Sequence, residues 1–330
     1  MSKKLLVPDI GEFENVEVIE ILVKPGDEIK ENDPVVTIES DKSSVEIPST
    51  ISGKVESKPL PFSDADQITR ELFDHWPDAV INCAAISSPD EVNKSPLHAQ
   101  EINVEGAYRL ASIASHIGAR FIQVSTDMVF DGSKSPYRST DMPNPLSVYG
   151  IQKLDAEKKV LSVTDENLIV LRVTLLNGNS PMGKRSPHEK ILQSLARGSK
   201  LILFDDEIRQ PCSVENLADV MVELLERPNL NGLFHWAGSE EISRFDLGLL
   251  ILKRFGINPD QIIHGKMKDK QLKLGNRPSH LSFVLEPLLF KVRTQPLSIE
   301  EQLQELRVPN ELYAWYQQFA DKPSCYVARF

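Results

Sequence analysis

"ARFIQVST", residues 119 to 126, and "SVYGIQKLDAEK", residues 147 to 158, decide how this chain is read. The first is a run of β-branched and aromatic residues closed by Ser125 and Thr126, the composition of a buried strand. The second reads as the start of a helix, from about Val148. A strand followed by a helix predicts one unit of an alternating fold, and the sequence on either side repeats the alternation. Upstream lie a helix near Ala65 to His75, a strand in "AVINCAA" and a helix around Pro96 to His116. Downstream lie a strand "NLIVLRV" and helices near 187 to 197 and 214 to 227. Such alternation calls for right-handed crossovers and a mainly parallel sheet, so an α/β fold is expected.

Tyr149 and Lys153 stand four apart in the second stretch, so a helix puts them on one face where both can act on a single ligand. A phenol with a pKa of about 10 is a poor acid–base group at neutral pH, and a neighbouring ammonium is expected to draw that value down. In isolation such a pair is more often helix packing and surface charge, so its weight depends on the company it keeps.

Further upstream the pattern changes. From Leu5 to about Ser57, "NVEVIEILV" and "DPVVTIES" are broken by "KPGDEI" and "ESDKSS", the signature of strands separated by turns. Pro59 and Pro61 in "ESKPLPFSDAD" end it. The expected organisation is an all-β module over 1–58, a junction over 59–64 and an α/β domain over 65–330.

The 330 residues, 41% of them hydrophobic, can furnish a sizeable core. With 37 Lys+Arg against 48 Asp+Glu the net charge is -11, which points to small molecules or proteins as partners and away from nucleic acid. Cys83, Cys212 and Cys325 are scattered, without a CxxC pattern, so neither a disulfide framework nor a cysteine zinc site is expected. The histidines show no HxH or HxxxH spacing, and no metal is expected. Leu5, Leu6 and Val7 are too short a run for a signal peptide, and no stretch approaches the roughly 20 apolar residues of a membrane span. A cytoplasmic location without membrane contact is expected.

"VPDIGEFENVEVIEILVKPGDEIKENDPVVTIESDKSSVEIPSTISGKV" resembles the lipoyl domain of the acyltransferase component of 2-oxo-acid dehydrogenase complexes, from residue 4 to about 58. A carrier lysine must stand clear of its barrel, and the resemblance assigns that place to Lys42, at the tip of a hairpin and open to lipoic acid. Asp41 and Ser43 flank it, where a biotin carrier would typically have methionines. The family continues after "SGKVES" with a second turn and two closing strands; here "KPLPFSDAD" follows, leaving a partial barrel with exposed sheet edges.

The remainder resembles the extended short-chain dehydrogenases, and within them the dTDP-4-dehydrorhamnose reductase family. The likeness is carried by "PDAVINCAA", "EINVEGAYRLASIASHIGARFIQVSTDMVFDG", "PYRSTDMPNPLSVYGIQKLDAE" and "NRPSHLSF". It implies an incomplete Rossmann-like parallel sheet with a C-terminal substrate-binding region. It also implies NADPH- or NADH-dependent reduction of a nucleotide-linked 4-keto sugar, with homodimerisation left open. Tyr149 would give the proton to the carbonyl oxygen, Thr126 would hydrogen-bond that oxygen, and Lys153 would also hold the nicotinamide ribose. Ala84, Ala85, Asn103 and Ser125 would lie near the cofactor, and Arg277 at the sugar-nucleotide end. Met128 stands where the family usually has Tyr, and "RVTLLNG" and "RQPCSV" also depart on the substrate side. The family opens with a glycine-rich turn, GxxGxxG, that holds the pyrophosphate, and no such sequence occurs in this chain. Cofactor affinity should suffer, and "AVINC" should become a sheet edge. The same family is similar to the regulatory subunit of methionine adenosyltransferase, so a non-catalytic binding role is an alternative, as is a lipoyl carrier role resting on Lys42.

"GNSPMGKRS", from Gly178, nearly spells a phosphate-binding P-loop, but Arg185 replaces the Ser/Thr that would meet magnesium and Pro181 removes an amide. It is read as an ordinary loop. "RFDLGLLILKRFG" is read as a core helix.

Overall fold

The computed structural model describes residues 17–21, 23, 28–30, 34–40, 43–48, 53–54, 65–269, 277–323 and 326. They belong to two compact units, Met1–Pro61 and Phe62–Phe330.

In the first unit β1 (Glu17–Ile21), β3 (Pro34–Ser40) and β4 (Ser43–Pro48) form an antiparallel sheet in the order β1-β3-β4, while β2 (Glu28–Ile29) pairs antiparallel with β5 (Gly53–Lys54). Pro34 opens β3, the position in a strand where a missing amide costs least. Ser40 lies opposite Ser43 across the β3–β4 ladder. Lys42, the expected lipoyl acceptor between them, lies outside the described residues, as does Cys325.

The second unit is built on a four-stranded, all-parallel sheet of β6 (Ala79–Asn82), β7 (Arg120–Thr126), β8 (Leu168–Val173) and β13 (Gly232–Trp236), in the order β13-β8-β7-β6. Among the described residues β6 is an edge, as expected. Side chains alternate across β7 and β8 with period two. Phe121, Leu168 and Val170 meet Leu110, Ala111 and Ala114 of α4 (Ala107–His116) and Ala156 and Val160 of α5 (Val148–Leu161). Ile122, Ile169 and Leu171 meet Leu217, Val220 and Leu224 of α7 (Val214–Leu225) on the opposite face. With helices on both faces, every position of β8 is buried, which is why "LIVLRV" reads as a continuous run and not as an alternation.

The expected helices are present, with one modification: the segment from Pro96 to His116 comprises α3 (Pro96–Gln100), a π-helical turn (Glu101–Gly106) and α4. A short α2 (Pro89–Lys94), not expected from sequence, is capped by Ser88 and starts with Pro89. Beyond β8, α6 (Pro187–Ala196), α8 (Arg244–Arg254) and the helices Ile299–Glu305 and Tyr313–Phe319 enclose a core that includes Leu192, Ile251, Phe255 and Tyr316. The "RFDLGLLILKRFG" segment is thus a core helix, with Leu247, Ile251 and Leu252 buried. β11 (Ile208–Arg209) lies between β14 (Ile242–Ser243), antiparallel, and β16 (His280–Leu281), parallel. This small sheet brings Arg209, Arg244 and the segment after Arg277 together.

Candidate active site

A cavity of about 630 Å³ opens beyond the carboxyl ends of the parallel strands, where open α/β sheets bind ligands. Cys83 and Ala85 follow β6, Ser125 and Thr126 end β7, and Val173 ends β8; all line it. Tyr149 and Lys153 enter from α5.

The start of α5 is set by two local features. Ser147 caps it, its hydroxyl accepting the Gly150 N–H at 3.1 Å. Gly150 then lies so close to the 3₁₀ turn Asp127–Val129 that an added Cβ would stand 2.3 Å from the Met128 carbonyl oxygen. Only glycine permits this approach, and it brings Tyr149 against Thr126. Tyr149 is 8% exposed, packed on Val92 and Ala99.

The groups on this wall are satisfied by one another. The Lys153 ammonium donates to the Val124 carbonyl at 2.7 Å. Burial lowers its pKa to about 8, opposed by the Glu157 carboxylate and by Cys83. Glu157, four residues along the helix, accepts from the Ser125 hydroxyl and from Arg172 of β8 at 2.9 and 2.6 Å, a bidentate pair in the core. The Thr126 hydroxyl accepts from the Met128 amide at 3.2 Å and donates to Asp127 Oδ1 at 3.2 Å.

Tyr149 departs from expectation. Burial pushes its pKa up to about 12; a hydrogen bond with Thr126 opposes the rise, and the Asp127 charge adds to it. Lys153 is not among the groups acting on the phenol. Shared helical face did set both residues in one cavity, but the ammonium is turned to the Val124 carbonyl and desolvation prevails.

The facing wall is cationic. Arg185, Lys190, Arg209, Arg244 and Arg277 line it, with Glu207 as its carboxylate. Arg209 is held by the Ile208, Ser279 and Pro278 carbonyls and by Glu207 at 3.1 Å. Among the described residues, Arg244 Nη1 is buried with no hydrogen-bond partner. Burial lowers the Lys190 pKa, and Arg244, Arg185 and Arg277 add to the effect, so these like charges feel one another.

Of the expected site residues, Thr126, Tyr149, Lys153, Ser125, Ala85 and Arg277 meet at the cavity. Asn103 and Ala84 are not among its lining residues. The Asn103 amide is spent as a clamp: Oδ1 accepts from Ile86 N–H at 2.8 Å, and Nδ2 donates to the Ile86 carbonyl and to Gln152, each at 3.1 Å. It holds the loop after β6 against α5. Sequence reasoning missed Asp127, Arg185, Lys190, Arg209 and Arg244. The helix in "RFDLGLLILKRFG" was legible, but not the cavity that Arg244 at its start lines. The "GNSPMGKRS" loop is no phosphate cradle in the P-loop sense, yet Gly178, Ser180 and Arg185 wall the cavity.

A parallel sheet with a cavity at its carboxyl edge is a fold that this chain shares with reductases and epimerases of known structure. A family model described as the RmlD substrate binding domain matches residues 43–308, and the chain belongs to that family. A second model, described as biotin-requiring enzyme and covering biotinyl and lipoyl domains, matches residues 3–57. Methionine adenosyltransferase 2 subunit beta of Bos taurus is 34% identical over 201 residues, 59% of this chain and 59% of that protein. A dTDP-4-dehydrorhamnose reductase of Mycobacterium tuberculosis is 30% identical over 191 residues, 56% of this chain and 62% of that one. The chain thus spans less than two thirds of these curated relatives. Among solved structures, dTDP-4-dehydrorhamnose reductase from Bacillus anthracis in complex with NADP superposes with a TM-score of 0.67 at 23% identity, covering 75% of this chain and 85% of that one. The Clostridium acetobutylicum structure gives 0.65 at 25%, covering 76% and 89%.

Proposed function

We propose that the cavity binds a nucleotide-linked 4-keto sugar, with its diphosphate on the arginine wall and its carbonyl at Thr126 and Tyr149. The observation that carries this reading is the buried, unpartnered Arg244 Nη1 among four further cations, facing a wall that holds a protonated phenol. A buried guanidinium nitrogen without a partner is costly, and a phosphate oxygen is a fitting acceptor.

A reduced nicotinamide would supply hydride to the carbonyl carbon. The residues fit its reacting end only: Lys153, Ser125 and small Ala85 line the cavity, but the sequence contains no GxxGxxG turn to grip a pyrophosphate. This chain's own contribution is to orient the carbonyl, exclude water and deliver a proton from Tyr149 Oη. NADPH is therefore expected to bind weakly, giving little thermal shift. The test is calorimetric titration with thymidine diphosphate, followed by NADPH oxidation with a thymidine-diphosphate 4-keto-6-deoxy sugar. Binding with turnover supports reduction; absence of nucleotide binding removes the reading.

A second reading is favoured by the 34% identity to methionine adenosyltransferase 2 subunit beta together with the missing glycine-rich turn. Here the chain keeps the site for binding and serves as a regulatory partner. Nucleotide binding without turnover, plus co-elution with a methionine adenosyltransferase catalytic subunit, would select it. Carrier function through Lys42 is separable: co-expression with a lipoyl ligase either adds the mass of a lipoyl group or removes that role.

A further inference from the structure

We propose that Asp127 is the proton-supplying end of a relay that runs through Thr126 to Tyr149. The relay deepens the carbonyl-reduction reading and rests on it for its purpose, though its test does not.

Asp127 follows Thr126 at the end of β7 and begins the 3₁₀ turn on which α5 is docked. Its side chain is 6% exposed and lines the same cavity as Thr126 and Tyr149. Thr126 is the shared link: its hydroxyl donates to Asp127 Oδ1 at 3.2 Å, it lines the same cavity as Tyr149, and it acts on the phenol by lowering its pKa. A threonine hydroxyl has one proton to give, and the Met128 amide already occupies one of its acceptor sites. When Asp127 is ionised it can only accept, so Thr126 donates to it and the phenol must donate to Thr126. When Asp127 is protonated the direction reverses: Asp127 donates to Thr126, and Thr126 donates to the tyrosine oxygen.

The proton balance closes. As Tyr149 Oη–H breaks and the proton forms an O–H bond on a substrate carbonyl oxygen, Thr126 Oγ1–H breaks and Tyr149 Oη–H forms again. Thr126 then takes the Asp127 proton, leaving a carboxylate that solvent reprotonates. Net, one proton passes from Asp127 to the substrate and Thr126 ends unchanged.

The charged groups around Asp127 allow both states. Charged groups that line the cavity with it include Lys153 on α5, Arg209 on β11, and Glu207, Arg244 and Arg277, and of these Arg209 acts on Asp127. Arg209, the nearest opposing influence, is committed to three backbone carbonyls and Glu207. Burial outweighs it and raises the Asp127 pKa to about 6, within reach of neutral pH.

The experiment compares D127N, T126V and their combination, with Y149F as the spectral blank and circular dichroism as the check on folding. The Tyr149 titration is read from phenolate absorbance. The midpoint is expected to fall by about 1 unit or more in D127N, where the opposing charge is gone and the Thr126 proton is free to turn to the phenolate, and to rise in T126V, where the phenolate has no hydroxyl to turn towards it. In the double variant the D127N effect should shrink. Infrared spectroscopy supplies a reading at milder pH: a protonated-carboxyl C=O stretch should appear as pH falls through about 6, vanish in D127N and shift in frequency in T126V. An unchanged or raised midpoint in D127N, or a carboxyl band indifferent to T126V, overturns the relay. Neither measurement uses cofactor or substrate, so a chain that reduces nothing can still show the relay, and an active chain can still lack it.

Discussion

The two walls of the cavity treat buried charge in opposite ways. On the sheet side every polar group named has a partner from the same wall: Lys153 on the Val124 carbonyl, Thr126 on Asp127, Glu157 between Ser125 and Arg172. On the facing side Arg244 keeps an unpartnered nitrogen, and Lys190 has Arg185, Arg244 and Arg277 acting on it with its own sign. A self-satisfied wall holds its geometry without a ligand, whereas a wall of like charges becomes fully compensated only when an anion arrives. Under the proposed function, chemistry and affinity therefore reside on different sides and can be disturbed separately.

The largest separation should come from Y149F, which removes the proton that the proposed reaction gives to the carbonyl oxygen. Turnover in NADPH oxidation is expected to fall by about 10²-fold or more, with thymidine diphosphate affinity within about twofold of the parent. Equal losses in both would merge the two walls. G150A attacks the same wall through its scaffold, because the new methyl meets the Met128 carbonyl oxygen. A stability loss of up to about 3 kcal/mol in urea unfolding is expected, with turnover falling faster than nucleotide affinity.

R244M tests the other side. Thymidine diphosphate affinity should drop by about tenfold or more, corresponding to one charged hydrogen bond of about 1.5–3 kcal/mol, while the Tyr149 titration stays where it was. Preserved affinity in calorimetry would make Arg244 a structural residue. The smallest effect concerns pH. Asp127 is raised in the folded chain from 3.8 to about 6, so its favourable contribution is complete below the unfolded value and is lost as pH rises through about 6. D127N should therefore gain on the parent, by on the order of 2 kcal/mol, between pH 4 and pH 8. His188 and His235 are lowered mainly by burial, to about 4 and about 3, and destabilise both proteins as pH falls from 6.5. Their effect cancels in the difference.

Much of the sheet side was legible from sequence because its information is local. Tyr149 and Lys153 follow from helical spacing, Thr126 from the end of a strand, and the order of elements from alternating periodicity. What failed was environment. The influence of Lys153 on the phenol depends on where the ammonium points, and the π-helical turn that carries Asn103 and its clamp on Ile86 leave no trace in residue type. The facing wall was nearly invisible: Arg209 and Arg244 are joined by two-residue strands, too short to show a period, and become neighbours only through tertiary pairing. Arg277 alone was reached, through resemblance.

The Arg172–Glu157 pair also governs the timescales of the site. It fastens α5 to an interior strand that is buried at all six positions, so Tyr149 cannot swing away without exposing two charges in the core. Backbone amides of β8 and the middle of α5 should accordingly exchange with deuterium only through opening of the whole unit, whereas residues 178–186 can exchange by local fluctuation. Under the proposed function, the loop over residues 178–186 is then the part free to adapt to different sugar nucleotides, and the helix that carries Tyr149 stays a fixed reference against which each of them must be aligned.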